Sequence, residues 1–395
     1  MPEPSPFHLR TAPLCLTHQW KDWSGFNAPC SYGISPEREY NAIRQAAALI
    51  DVSPLLKYDI TGPDAGLFLN RIMSRDVSKL KTGRVSYLCW CDDSGKTLDD
   101  GTCTRLDETH FRVTSAAPAY HWFTEHASPY DVKIRDTTNE IAALAIQGPT
   151  SKAVLQQVVD IDMDHLRFFG ARQVKLADFS GQVTRTGYTG DLGYEVWVPI
   201  EKALKLWDVL MEAGHHYGLM PVGLDALDIS RIEAGFILHG ADYISAHDAL
   251  IESQKSTPYE LGLGWTVKLD RAPFIGQSAL KEERQQGSKW AFVGLEICWE
   301  GMEALFNEYD LPPNLPSAAW RIPVPVYSGN RQVGRATSGT WSPILKKNLA
   351  LATVDAQYSA AGTELFIEIT PEWARRKVKA TVVKTPFFNP KRKRL

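Results

Sequence analysis

Apolar and polar positions along the chain fall into three stretches of different rhythm. Two pass back and forth between the period-2 spacing of strands and the 3.6 spacing of helices, and a third, from about residue 289, keeps almost wholly to strands. Ser35-Pro36 supplies an N-cap followed by proline in the first turn, and the spacing after it predicts a helix over residues 37–49. A strand is predicted at 57–61, turned by Gly62-Pro63-Asp64 into a helix at 65–73. Strands follow at 84–91, about 98–104 and 111–114, with a hairpin turn at 92–95, then a helix near 117–126. In the second stretch, residues 145–155 echo residues 59–69: each is a strand, then Gly-Pro, then apolar residues at helical spacing. Proline in the first turn of such a helix loses nothing, since its missing N–H would have no helical partner. A hairpin is predicted over 183–198, an amphipathic helix over 201–216 and another helix over 223–235. In the last, Leu224, Leu227, Ile229 and Ile232 turn inward, while Asp225, Asp228 and Arg231 are spaced for local pairing. Residues 239–260 are polar and helix-like, suited to a lid or an inter-domain crossing. The third stretch has strands at 290–297, 322–327, 332–337, 349–354 and 377–383 and a Pro-rich connection at 300–317, the pattern of a small β-barrel. The expected fold is α+β, with two related α/β units at 1–140 and 141–288 facing each other across a pocket and a β-barrel domain at 289–395.

Composition narrows the function classes. A chain of 395 residues is too long for one core. Its net charge of −3 sets up no global field toward nucleic acid or membrane. No apolar run approaches a membrane span, and the first residues lack a basic segment followed by an apolar one. The six cysteines contain no CxxC pair and are expected to be reduced, Cys89 and Cys91 half-buried on one face of a strand. The histidines show no HExxH spacing, so no metal site is expected. A cytoplasmic protein follows, with its short basic segment at 391–394 a solvated, frayed end.

Residues 185–195, Arg-Thr-Gly-Tyr-Thr-Gly-Asp-Leu-Gly-Tyr-Glu, concentrate the candidate chemistry. Three glycines let a backbone lie against a flat ligand, two tyrosines offer aromatic faces with polar tips, and Glu195 offers two acceptor oxygens in one plane. The loop leads into a strand, whereas a dinucleotide fingerprint opens a helix. Two readings remain from these residues: a bare Gly-rich hairpin, or a site for a flat ligand. Asp99-Asp100-Gly101 reads either as a turn or as part of the strand after Leu98, and Trp265 on its own reads most simply as core.

Taken in order, these pieces resemble the glycine-cleavage T-protein family, which includes aminomethyltransferases and tetrahydrofolate-dependent demethylases. The resemblance rests on 185–195, on Leu98-Asp99-Asp100 after a strand containing Tyr87, and on Ile146-Gln147-Gly148-Pro149. It is extended by residues 231–235 (Arg-Ile-Glu-Ala-Gly), Leu263-Gly264-Trp265, Phe274-Ile275-Gly276 and residues 336–339 (Ala-Thr-Ser-Gly), and it runs from about residue 37 to about 390. It implies a three-domain cloverleaf with tetrahydrofolate in a central cavity. Glu195 would then pair with the amino-pyrimidine edge of the pterin, Tyr188 and Trp265 would wall the folate, and Tyr87 would line the same cavity. Asp100 would face the reacting nitrogens. Asp99 is the adjacent possibility, since neighbours on a strand point to opposite faces.

The chain also departs from the family's pattern. The family's Gly-Ala-Arg-Asp is Asp225-Ala226-Leu227-Asp228 here, so Leu227 replaces an arginine implicated in folate or substrate binding. Its Asn near the end of the fourth strand is Ser115 or Ala116, and its Leu-Tyr-Gly is Leu238-His239-Gly240. Losing a guanidinium removes a charge and up to five donors. The departures point toward members that demethylate a small N-, S- or O-methylated metabolite, with His239 a candidate substrate contact. The alternatives are the aminomethyltransferase of glycine cleavage, partnered by a lipoylated carrier protein, and a non-enzymatic folate-binding module. An oxidase subunit is a further possible partner. Arg231 and Glu233 are left outside the catalytic set, as helix-surface charges or local pairs.

Overall fold

The computed structural model describes residues 1–395. The strand–Gly–Pro–helix unit occurs twice: Leu56–Thr61 runs into the helix Ala65–Ile72, and Ile141–Gln147 into Ser151–Gln156. At each bend the glycine has positive φ, +132° at Gly62 and +121° at Gly148, and a Cβ there would lie 2.3 Å from the Asp131 carbonyl and 2.6 Å from that of Ala46. Neither bend admits a side chain.

The first unit is a five-stranded antiparallel sheet in the order Arg84–Cys91, Thr97–Arg105, His110–Ser115, Leu56–Thr61, Lys133–Asp136. Phe68, Leu69 and Ile72 of the first helix pack into a core with Ile60, Trp90 and Phe111. The second unit is a six-stranded sheet in the order Ala171–Leu176, Phe179–Thr184, Gly193–Pro199, Ile141–Gln147, Ala47–Asp51, Leu219–Pro221. The third is a closed six-stranded barrel running from Trp290–Ile297 to Arg376–Val383. No helix is long and apolar enough to cross a membrane.

Several sequence expectations need correction. The helix expected over 37–49 stops at Gln45, and Ala47–Asp51 is a strand. Ala47, Ala48 and Leu49 have no exposed surface. A run buried on both faces carries no periodicity to separate strand from helix. That strand sits between Ile141–Gln147 and Leu219–Pro221, so a division of the units at residue 140 does not follow the sheets. The Pro-rich connection contains a helix, Trp299–Asn307, whose Met302, Leu305 and Phe306 join the barrel core. Residues 239–260 form no α-helix. They cross to the first unit, where Ala246 N–H donates to the Thr97 carbonyl (2.9 Å) and Thr97 N–H to that of Ser256 (2.8 Å). Cys89 and Cys91 are fully buried rather than half-buried, because both faces of their strand are covered.

Candidate active site

Asp99 and Asp100 lie within the strand Thr97–Arg105, not in a turn. Both Asp100 oxygens accept tyrosine hydroxyls, from Tyr87 at 2.6 Å and Tyr243 at 2.5 Å. Asp99 turns to the framework. It accepts the N–H groups of Ala116 (3.0 Å), Ala117 (2.9 Å) and Asp100 (2.8 Å), and the Tyr243 hydroxyl at 3.0 Å. Asp99 is buried and saturated; Asp100 keeps accessible surface.

Burial and the adjacent Asp100 charge push the Asp99 carboxyl up to about 7, against the N–H donors that favour its anion. Burial raises Asp100 as well. Two such neighbours titrate as a unit and hold a shared proton toward neutrality. Both lie above the ordinary carboxylate value of about 4, so protonation favours the folded chain. This contribution is complete below the unfolded value and is lost as pH rises toward the folded one. The thermal midpoint should therefore fall more between about pH 5 and pH 8 in the wild-type chain than in Asp99→Asn, read by scanning fluorimetry. Equal falls would assign the pH dependence to other groups.

Aromatic rings surround the pair. Tyr87 stacks on Trp265 with centroids 5.8 Å apart and planes at 20°. Trp265 is 54% exposed, so it is not the core residue that its isolated reading suggests. Tyr188 stacks on Phe236 at 5.6 Å and 28°, and its hydroxyl donates to the Ile237 carbonyl. Tyr87, Tyr188 and His239 all lie close enough to Asp100 to feel its charge.

The loop between Phe179–Thr184 and Gly193–Pro199 is stapled by Gln147, the glutamine before the second Gly-Pro. Its Nε2 donates to the Thr186 and Tyr194 carbonyls (3.2 and 3.1 Å), and its Oε1 accepts from Thr189 at 2.9 Å. A Cβ on Gly187 or Gly193 would lie 2.1 or 2.2 Å from that Oε1. These two glycines therefore admit the staple. Glu195 receives the Thr186 hydroxyl on Oε2 at 2.7 Å, and no protein hydrogen bond occupies its Oε1. Burial raises its pKa, and hydrogen bonds from Thr186 and Thr184 counter that rise. A half-buried carboxylate with one oxygen held and the other free fits a ligand edge that donates N–H groups.

His239 presents the other open valence. Its Nε2 is buried with no partner, and its ring lies edge-on to Tyr243 at 5.2 Å. Burial lowers its pKa, partly offset by Asp100, so the ring is neutral at neutral pH.

Arg231 and Glu233 are not surface charges. Arg231 donates to Asp228 at 2.6 Å, to Asp242 and to Ser338 at 2.7 Å, while Thr337 and Ser338 donate to Asp242. Glu233 accepts from Tyr40, Arg44 and Ser342. Leu227 is buried in an apolar cluster against which Tyr188 packs. The basic segment is not frayed either. Arg392 binds Asp191 of the loop through two contacts, 2.6 and 2.8 Å, and Lys393 lies 4.8 Å over the Phe236 ring. Burial holds the Lys393 ammonium down at about 8. Sequence reasoning missed Tyr243, Phe236 and this segment. Only Gln147 carried a signal, as part of the echoed unit.

Known proteins share this architecture. Residues 16–271 match the GCVT N-terminal domain, and residues 317–389 the glycine cleavage T-protein C-terminal barrel domain. Aminomethyltransferase of Bacillus cytotoxicus is 37% identical over 373 residues, 93% of each chain. That of Bacillus cereus is 36% identical over the same share of each chain. The crystal structure of glycine cleavage system aminomethyltransferase T from Bartonella henselae superposes with TM-score 0.83 at 25% identity, covering 98% of this chain and 99% of that one. Fold and matches define a tetrahydrofolate-dependent one-carbon transferase. The chain belongs to the glycine-cleavage T-protein family.

Proposed function

We propose that the protein takes a one-carbon group from a small N-, S- or O-methylated metabolite and passes it to tetrahydrofolate. The observation that carries this reading is His239. Its unpartnered buried nitrogen lies within range of the Asp100 charge, where a small polar donor would satisfy it. Tetrahydrofolate supplies the nucleophilic nitrogen when bound. Glu195 would hold the pterin's amino-pyrimidine edge with its free oxygen, and Tyr188, Tyr87 and Trp265 would wall the ring system. As the donor's methyl–heteroatom bond breaks, the donor keeps the electron pair and a new C–N bond forms; a sulfonium or quaternary ammonium donor leaves neutral, and an amine or ether donor takes up on its heteroatom the proton that Asp100 passes on. Asp100 accepts the proton released from that nitrogen, a role its raised pKa suits. Tyr87 and Tyr243 fix the carboxylate's direction.

A second reading is transfer of an aminomethyl group from a lipoylated carrier protein, favoured by the aminomethyltransferases that are 36–37% identical to this chain. Leu227, where the family carries arginine, weighs against it. One experiment separates them. The chain is incubated with tetrahydrofolate and either a panel of methylated amines, sulfonium compounds and methyl ethers, or an aminomethylated lipoyl carrier. Products are read by mass spectrometry. Methyl-folate from a small donor supports the first reading. Methylene-folate with ammonia, formed only with the carrier, replaces it with the second.

A further inference from the structure

Tyr243 meets two carboxyl groups with one hydroxyl. Its oxygen lies 2.5 Å from Asp100 Oδ1 and 3.0 Å from Asp99 Oδ1. A hydroxyl has one hydrogen and two lone pairs. It donates to one of these oxygens at a time. The other contact is a hydrogen bond only when that carboxyl is protonated and donates back. Two anions on one hydroxyl would leave a buried oxygen pair with no hydrogen between them, an arrangement that burial penalises. One proton therefore resides within the pair.

Distances and surroundings say where it rests. A separation of 2.5 Å is that of a hydroxyl donating to an anion, while 3.0 Å is the long end for neutral oxygens. Asp100 also takes the Tyr87 hydroxyl on its other oxygen at 2.6 Å. Asp100 is thus the anion, and Asp99 Oδ1 holds the proton and gives it to the Tyr243 oxygen. Burial, then the Asp100 charge, pushes Asp99 up to about 7, in keeping with that placement. Asp99 is 2% exposed, and its partners besides Tyr243 are backbone N–H groups, which pass no proton. The Tyr243 ring is 1% exposed, held among Cys89, Ile237, Leu261 and Leu263 and edge-on to His239. Its hydroxyl is the route from Asp99 to the accessible surface of Asp100. Tyr87, Tyr188 and His239 also face Asp100. Burial raises both tyrosines and lowers the histidine, so all three are neutral. Cys89, lowered by its hydrogen bond with Cys91, lies opposite Asp100 on the neighbouring strand.

We propose that Asp99 is a buried proton store and that the Tyr243 hydroxyl relays its proton to Asp100. Asp99 gives its proton to the Tyr243 oxygen as Tyr243 gives its own to Asp100. Two O–H bonds break, two form, and the negative charge moves from Asp100 to Asp99. Asp100 can then protonate the departing nitrogen or oxygen of an amine or ether donor. As a carboxylate again, it takes the proton released by the folate nitrogen, and the reverse shift refills Asp99. Tyr243 and Asp99 act through Asp100, as positioning residues. This use of the relay rests on the function proposed above; the relay itself does not.

The test follows the C=O band of neutral carboxyl groups by infrared difference spectroscopy on the full chain, with D2O as the probe. Wild type minus Asp99→Asn should show one such band, persisting above the ordinary carboxylate value of about 4 and fading toward about 7. Asp51 and Glu195, which burial also raises, cancel in the difference. On rapid mixing with D2O the band should shift as its proton exchanges. In Tyr243→Phe, taken against its own Asp99→Asn double variant, exchange should slow by about a hundredfold, the lower end of what a positioned proton-transfer group contributes. A merely loosened structure would speed it. Tyr243→Gln keeps a donor and an acceptor without a transferable proton, and should be as slow; circular dichroism checks that both variants are folded. Absence of a band that Asp99→Asn removes overturns the store, and exchange as fast in the variants as in wild type overturns the relay. Neither folate nor a methyl donor enters the measurement, so its failure is distinct from failure of the proposed function, which the product assay reads.

Discussion

Asp100→Asn should lower kcat by about a thousandfold, within the range general acid–base groups contribute, while the dissociation constant for tetrahydrofolate stays within about threefold. The substitution keeps size and shape. The Tyr87 hydroxyl can still donate to the amide oxygen, but the oxygen facing Tyr243 becomes an NH2 group that must turn away or clash with that donor. What disappears is the negative charge and the proton acceptor. On the proposed reading binding rests on Glu195 and the aromatic rings, of which Tyr87 touches Asp100 and keeps an oxygen to donate to after the substitution. Single-turnover rates and a titration on the same preparation separate the two quantities. A kcat within a factor of a few of wild type would remove Asp100 from the reaction. A parallel loss of affinity would make it a binding residue.

Arg231→Met should destabilise the fold by about 3–5 kcal/mol, the cost of leaving buried charge uncompensated. The arginine side chain is 1% exposed, and its partners Asp228 and Asp242 are 3% and 0% exposed. Arg321 still reaches Asp228 at 2.6 Å, so the heavier loss falls on Asp242, which would retain only neutral donors. The network joins the helix Leu224–Glu233, the crossing segment and the barrel strand Arg331–Ser342. Urea denaturation should therefore show either a lower midpoint or a separate early transition of the barrel. A variant with an unchanged midpoint would mean that the acids bury as neutral groups.

How much of this was legible in the sequence depends on whether the cause was local. The two Gly-Pro bends and the barrel strands were readable because proline, glycine and period-2 spacing act over a few residues. The loop at 185–195 was readable as unusual, and the ordered run of matching pieces gave it a ligand class. The strand Ala47–Asp51 was not readable, since continuous burial erases the pattern that distinguishes elements. Tyr243 was invisible for another reason. Its hydroxyl meets Asp99 and Asp100 more than 140 residues away in sequence, and nothing around it marks a site. The carboxylate choice was open because alternation puts neighbours on opposite faces. The framework donors at Ala116 and Ala117 take Asp99, while Asp100 keeps accessible surface. The basic segment misled because charge runs are usually solvated; here the acid that holds it, Asp191, lies inside the loop itself.

The strand Ala47–Asp51 has a consequence for how the chain acquires its shape. It completes a sheet whose other members begin some ninety residues later, at Ile141. A fragment starting at residue 141 would expose the unpaired edges of Ile141–Gln147 and Leu219–Pro221, a template for wrong pairing. Closing so long a loop before any pairing is rewarded places the second sheet among slowly formed, non-local structures. The two α/β units thus cannot be separated at residue 140, and permuted or split versions of this protein should be cut elsewhere.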